Sequence, residues 1–268
     1  MAMSSLINHY LGQIYFLMAI SSCYTGHWFF RSIVPISDID AFLSSLPANS
    51  NLLSSLNQPL VGINKNHNPY TLLETDSIFQ PFVTNSSILS IIKSISGSRF
   101  LRPIQVGLLT KVPGSPATPW HRDKDHLPVS TNVYTAWIPL TPIPPSLSLV
   151  YAEGTAVTDP CITQVSPSKS LSQILNDHGS PMSQPIAMNP GDLDIHDGRV
   201  WHYGPANSSQ SIRHAVAIAY VPDGARIHLS PPGFDAFAGL PMRLSILSSN
   251  FPGLFDGDLI GSEPHIKL

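Results

Sequence analysis

The feature that most constrains this chain is the triplet His121-Arg122-Asp123, followed in order by His202 and Arg213. In a strand alternate side chains share a face, so an imidazole and a carboxylate two residues apart aim at one point, with Arg122 turned away. Two imidazoles and one carboxylate on one side of an ion suit octahedral Fe(II) when its remaining positions must stay open to other ligands. His121 and Asp123 fill two of those places, and the third ligand must come from a distant strand. His202 stands 79 residues beyond Asp123, within Asp194-Ile-His-Asp-Gly-Arg-Val-Trp-His202-Tyr-Gly. Such a separation predicts a β-barrel that folds back on itself.

Arg213 lies 11 residues past His202, across Gly204-Pro-Ala-Asn-Ser-Ser-Gln-Ser211, which reads as a turn between paired strands. That turn brings its guanidinium back beside the metal. A planar guanidinium matches a carboxylate through two parallel hydrogen bonds, as holding the far carboxylate of 2-oxoglutarate requires. Along Arg213-His-Ala-Val-Ala-Ile-Ala-Tyr220, the small Ala215, Ala217 and Ala219 share the face of Arg213 and leave room for a ligand. His214 points the other way.

Beyond these residues, Thr118-Pro-Trp-His-Arg-Asp123, Tyr134-Thr-Ala-Trp-Ile-Pro-Leu140 and the stretch from Gly191-Asp192 through His202 and Asn207 to Arg213 form an ordered set of blocks. Together with Val221-Pro-Asp-Gly-Ala-Arg226 and Asn250-Phe-Pro252, this set resembles the phytanoyl-CoA dioxygenase-like branch of the Fe(II)/2-oxoglutarate-dependent oxygenases, over residues 24 to 255. The ordered blocks are far more specific than an H-x-D triplet, which many proteins carry by chance. The resemblance implies a mostly β fold with supporting helices, a double-stranded β-helix barrel of the jelly-roll, cupin-like kind. It implies His121, Asp123 and His202 as metal ligands and Arg213 as the 2-oxoglutarate anchor. It also places Trp137 and Gln105 near the co-substrate: Trp137 where relatives carry an aromatic, and Gln105 on the strand before the metal block. Two departures leave contacts unassigned. Glu153-Gly-Thr155 stands where relatives often carry Gly-Ser-His, and Gly204 replaces a hydroxyl often found two residues after the distal histidine.

The activity so implied is a non-haem Fe(II)/2-oxoglutarate-dependent dioxygenase, with O2 as second co-substrate and succinate and CO2 as products. It oxidises a C–H bond of a small metabolite in specialised biosynthesis, by hydroxylation or by desaturation, cyclisation or demethylation. Asp123 argues against a halogenase, because the halogenating relatives lack this carboxylate. An acyl-CoA hydroxylase of the phytanoyl-CoA type is the nearest alternative. A CoA substrate calls for a basic patch, and with only 14 Lys and Arg in the chain a smaller, uncharged or zwitterionic substrate fits better. From other classes, a non-catalytic metal- or ligand-binding barrel would have lost ligands, and a zinc hydrolase would leave Arg213 idle. His126, His196 and Asp197 lie beside the blocks but off the ligand positions, and read as supporting or loop residues.

Composition excludes other classes. Charged residues are 12% and net charge is −3, so neither nucleic acid nor an anionic membrane is an expected partner, and monomer and homodimer both remain open. Cys23 and Cys161 are too few for a disulfide framework. The apolar Ile14-Tyr-Phe-Leu-Met-Ala-Ile20 lacks a basic flank, the first basic residue being Arg31, so residues 1–23 read as an N-terminal extension or helix, and the protein as cytoplasmic rather than secreted. The chain ends His265-Ile-Lys-Leu268, without a peroxisomal tripeptide.

The whole, 1–268, reads as a single oxygenase domain. A strand is expected over Gly26–Val34. A helix follows over Ser37–Leu46, capped by Ser37 with Asp40 three residues on, and a second spans Ser87–Ser96. Residues 47–86 are rich in Asn, Pro and Ser and read as a lid over the pocket mouth. Residues 101–228 form the catalytic barrel core, and 155–184 a variable insertion suited to substrate specificity.

Overall fold

The computed structural model describes residues 24–46, 62–63, 79–158, 171–177, 179–229 and 240–261. The expected N-terminal helix, most of the expected lid and residues 159–170 of the insertion lie outside them.

Nine strands form two antiparallel sheets among the described residues. They are β1 (His27–Phe30), β2 (Gly62–Ile63), β3 (Leu101–Lys111), β4 (Thr118–His121), β5 (Tyr134–Pro139), β6 (Val150–Tyr151), β7 (Leu193–Asp197), β8 (His202–Gly204) and β9 (Arg213–Pro222). The larger sheet has the order β1-β7-β5-β9-β3-β2, and the smaller β4-β8-β6. No strand pairing joins the two among the described residues, so the barrel expected from the sequence is not closed by hydrogen bonds. Side chains link them instead: Lys111 on β3 donates to the Gly204 carbonyl on β8 at 2.9 Å, and Tyr151 on β6 donates to Asp194 on β7 at 2.6 Å.

Helices α1 (Ile36–Ser45) and α3 (Ser86–Ser96) cover one face of the larger sheet, with the short α2 (Gln80–Val83) between them. Ile39, Phe42, Ile88, Leu89, Ile91 and Ile92 pack there on Val106, Leu108, Ile138, Ile195, Val216 and Ile218. This apolar contact is the main core. At the start of α3, Asn85 accepts hydrogen bonds from the amides of Ser87 and Ile88 at 3.0 and 3.1 Å, and Gly97 ends the helix at φ 67°.

Two boundaries differ from the sequence expectations. Helix α1 starts at Ile36, so Ser37 sits in its first turn and is not the cap. The carbonyl of Pro35, whose ring fixes φ near the helical value, accepts from the amides of Asp38 and Ile39 and starts the helix one residue earlier. Strand β1 ends at Phe30, because Asp192 captures the Arg31 guanidinium at 2.6 Å and the Ser32 amide at 2.9 Å and draws the chain off the sheet. No described helix is long and apolar enough to cross a membrane.

The second face of the larger sheet sets up the site. Register and strand alternation place side chains there in rows: Gln105, Ala219, Thr135, His196 and His27 in one, Gly107, Ala217, Trp137, Asp194 and Phe29 in the next. At the far end of the same face Lys111 stands opposite Arg213.

Candidate metal centre and anion site

His121 ends β4 directly opposite His202, the first residue of β8. Arg122 stays extended at φ −122° and ψ 131°, which returns Asp123 to the side of His121 before the chain turns into α4 (Asp123–His126). The Arg122 guanidinium lies away from the site, 5.0 Å above the Trp201 ring and bonded to Asp125 at 2.8 Å.

One ligand atom each of His121, Asp123 and His202 falls within 4.8 Å of the others. Asp123 Oδ1 is 3.6 Å from His121 Nε2 and 3.7 Å from His202 Nε2. Both histidines are oriented alike: Nδ1 of His121 meets the Pro119 carbonyl at 2.8 Å, and Nδ1 of His202 meets the Val200 carbonyl at 3.1 Å. A carbonyl only accepts, so Nδ1 carries the proton in each ring and the Nε2 lone pairs face the carboxylate. Burial, with the imidazoles of His121 and His196 nearby, holds His202 well below the ordinary histidine pKa, in the neutral form that binds metals.

The other oxygen of Asp123 is already occupied. Oδ2 accepts from the Thr135 hydroxyl at 2.5 Å and from His196 Nε2 at 3.1 Å. Burial opposes the charge on Asp123, yet the hydrogen bond from His196 and the charge on that imidazole outweigh it and keep the carboxyl well below its usual range. The carboxylate therefore offers one oxygen, Oδ1, toward the histidines. His196 is itself held from behind, with Nδ1 3.2 Å from the Tyr151 hydroxyl and 3.6 Å from Asp194. Burial lowers the His196 pKa, but its bonds to Asp123 and Asp194 more than compensate and push it up to about 9.

His196 was expected to be a supporting or loop histidine, and it lies on β7 with its hydrogen bond to Asp123. His126 ends α4, its ring 5.6 Å from that of His121. Asp197 pairs with Arg199 and accepts from Tyr24. His214 faces away from Arg213 and bonds Thr110 at 2.9 Å.

A second feature lies at the other end of the face. Arg213, 4% exposed, donates to the Leu147 carbonyl at 2.6 Å and sits 5.7 Å over the Trp137 ring. Burial lowers its pKa to about 10. Opposite it, Lys111 donates to the carbonyls of Gly204 and Pro205 at 2.9 and 2.8 Å; burial, and then the Arg213 charge, push it down to about 7. Among the described residues no carboxylate forms an ion pair with either cation. Trp137 is 2% exposed and its Nε1 finds no hydrogen-bond acceptor among the described residues. It lies in an apolar wall with Ile143, Leu147, Met188 and Ala215. Gln105 is half-buried on the same face, level with Ala219 and Thr135, toward the metal end. The two departures also find places. Glu153 pairs with His27 at 3.2 Å, and a Cβ at Gly204 would stand 3.5 Å from the Thr118 hydroxyl and 3.6 Å from Arg213 Nη2.

The residues fit the groups that the sequence suggested. Two Nε2 lone pairs and one carboxylate oxygen converge as a borderline-hard donor set suited to Fe(II). A buried and a half-buried cation with an unsatisfied indole N–H nearby suit an anion with further acceptor oxygens. Thr135, Tyr151, Asp194 and Lys111 were not singled out from sequence, and His196 was named without its bond to Asp123. Alternation along Tyr134–Trp137 could have found Thr135, whereas the others depend on register and partners far along the chain.

The fold has known counterparts. The chain is similar to the non-haem alpha-ketoglutarate-dependent carbocyclase SnoK from nogalamycin biosynthesis, at 21% identity and a TM-score of 0.65, covering 90% of each chain. It is similar to the epimerase SnoN, solved in complex with Fe3+, alpha-ketoglutarate and nogalamycin RO, at 17% identity and a TM-score of 0.64, covering 90% of this chain and 93% of that one. EvdO2 from Micromonospora carbonacea var. aurantiaca, complexed with 2-oxoglutarate, follows at 16% identity and a TM-score of 0.51, covering 78% and 91%. At these identities the likeness is one of fold. No curated protein sequence matches the chain. The profile of the phytanoyl-CoA dioxygenase family matches residues 30–215, which takes in all three converging ligands and Arg213, and the chain belongs to that family.

Proposed function

We propose that this chain is a non-haem Fe(II)/2-oxoglutarate-dependent dioxygenase in which His121, Asp123 and His202 hold the iron and Arg213 anchors the co-substrate. The observation that carries the reading is a three-ligand cluster on the same sheet face as a buried guanidinium with no acidic partner among the described residues. When bound, iron with 2-oxoglutarate and O2 supplies an oxidant strong enough to take hydrogen from a C–H bond, while the co-substrate leaves as succinate and CO2.

The chain's own residues orient and shield that chemistry. His121 and His202 present Nε2 because Pro119 and Val200 hold the opposite nitrogens. Thr135 and His196 keep Asp123 to one free oxygen. Arg213 receives the distal carboxylate, Trp137 offers its indole N–H to the co-substrate, and Gln105 contributes from the metal end. Ile143, Leu147, Met188 and Ala215 keep water from that pocket. We read the two sheets as the halves of a double-stranded β-helix barrel with the site between them, and the chain as one oxygenase domain.

A small metabolite of specialised biosynthesis is the favoured substrate. The similar SnoK and SnoN act in nogalamycin biosynthesis, and 14 Lys and Arg leave little for the phosphates of an acyl-CoA. Hydroxylation is the default outcome. Cyclisation is within reach of the same fold, as the carbocyclase illustrates.

Anaerobic titration of the apoprotein with Fe(II) and 2-oxoglutarate tests the reading. A weak visible charge-transfer band of the chelate is expected in the wild type and not in Asp123→Ala. Its absence from folded, iron-loaded wild-type protein would move a binding protein or hydrolase to the front.

A further inference from the structure

Lys111 ends β3 on the inner face, across from Arg213 at the start of β9. Two cations side by side in a half-buried to buried setting repel each other and lose hydration, a costly arrangement unless an anion completes it. Neither has a carboxylate partner among the described residues.

A purely structural role is already filled by another residue. The Lys111 amine donates to Gly204 and Pro205, which ties β3 to the β8–β9 loop. Asn207 makes that connection without a charge: its side-chain amide donates to the carbonyls of Lys111 and Ser211, and its backbone pairs with Gly114 and Ser115. The loop is therefore clasped whether residue 111 is charged or not. An ammonium has three donors, and the two carbonyls use two. The third remains for a ligand beside the guanidinium, and the Thr118 hydroxyl lies near the same spot, about Gly204.

We infer that Lys111 is a second cation of the co-substrate site, forming with Arg213 a clamp on the distal carboxylate that selects 2-oxo dicarboxylates over 2-oxo monocarboxylates. The inference rests on the reading of this chain as a 2-oxoglutarate enzyme. It assigns Lys111 a specificity role, with the Thr118 hydroxyl supplying the oxygen that Gly204 lacks.

The test compares two ligands on the Fe(II)-loaded protein without O2, by the chelate band or by calorimetry. One is 2-oxoglutarate, and the other is 2-oxopentanoate, which keeps the chelating end and lacks the distal carboxylate. In Lys111→Met, 2-oxoglutarate is expected to bind about 10- to 100-fold more weakly, the size expected for a lost charged hydrogen bond, with 2-oxopentanoate unchanged. General damage to the fold would weaken both ligands alike. If the Met variant does not fold, Lys111→Gln, which can keep the bonds to Gly204 and Pro205 but not the charge, is read in the same way. An unchanged ratio of the two affinities in a folded variant would overturn the clamp and leave the oxygenase reading standing. Failure of the wild type to form a chelate with either ligand would overturn both.

Discussion

Along β9, Val216, Ile218 and Tyr220 face α1 and α3, while Arg213, Ala215, Ala217 and Ala219 face the opposite way, toward the candidate site. The same division runs through β5, where Ala136 and Ile138 lie in the main core while Thr135 bonds the metal-facing carboxylate and Trp137 lines the anion end. The helix face is apolar and close-packed, so its contribution is burial. The inner face tolerates like charges side by side and a buried indole N–H with no acceptor among the described residues, neither of which stabilises a fold without ligands. Stability is concentrated on one face of the sheet and chemistry on the other.

The largest effects expected from breaking this division come from the inner face. His121→Ala, Asp123→Ala or His202→Ala should each abolish Fe(II) binding or turnover, measured as succinate released. Full activity in any of them would remove that residue from the ligand set. Arg213→Ala should raise the 2-oxoglutarate requirement by about 100-fold or more, since losing a desolvated ion pair costs several kcal/mol, while Fe(II) affinity stays close to the wild type. An unchanged requirement would take Arg213 out of the site.

A milder change sharpens the comparison, because it alters the inner face without touching a ligand. Thr135→Val keeps the shape and strand preference of the residue but deletes the hydroxyl that donates to Asp123 Oδ2. With that oxygen held by His196 alone, Fe(II) affinity should fall by about 10- to 100-fold, as for other groups that orient a ligand, with melting temperature nearly unchanged. A large drop in melting temperature at intact affinity would mean that Thr135 serves the core instead.

The helix face and the inner face were not equally legible in the sequence. The helix at Ser86–Ser96 and the strands from Leu101 onward follow from local apolar periodicity, which needs no knowledge of partners. The convergence of His121 and Asp123 also follows from a local rule, alternation, which persists because Arg122 stays extended at the end of β4. His196 was visible as a residue but not as a partner of Asp123, because that bond spans 73 positions and depends on the register of β7 against β5. Lys111 meets Arg213 only through a β3–β9 register that shifts between Pro103 and Gln105, an irregularity that periodicity does not reveal. Ser37 was misplaced as a cap because a carbonyl, that of Pro35, starts the helix there, and side-chain patterns cannot report a backbone acceptor. The barrel was read from the ligand spacing, the strand pattern and the resemblance, none of which reports closure, and among the described residues side chains tie the two sheets without strand pairing.

The smallest expected effect tests the division from the other side. Asn85 caps α3 through its side-chain oxygen, and the helix packs Ile88, Leu89, Ile91 and Ile92 onto the apolar face of the sheet. Replacing Asn85 by Ala removes the acceptor for two helical amides and should cost about 1 kcal/mol. In a chain of this size that lowers the melting temperature by about 2–4 °C. If the two faces are separable, Fe(II) and 2-oxoglutarate affinities measured well below the transition stay at wild-type values, because the inner residues are positioned by β-ladder register and by their own hydrogen bonds rather than by α3. A clear loss of either affinity in Asn85→Ala would show that helix packing is transmitted across the sheet to the site. The six-stranded sheet would then act as a spring between the two faces and not as a partition.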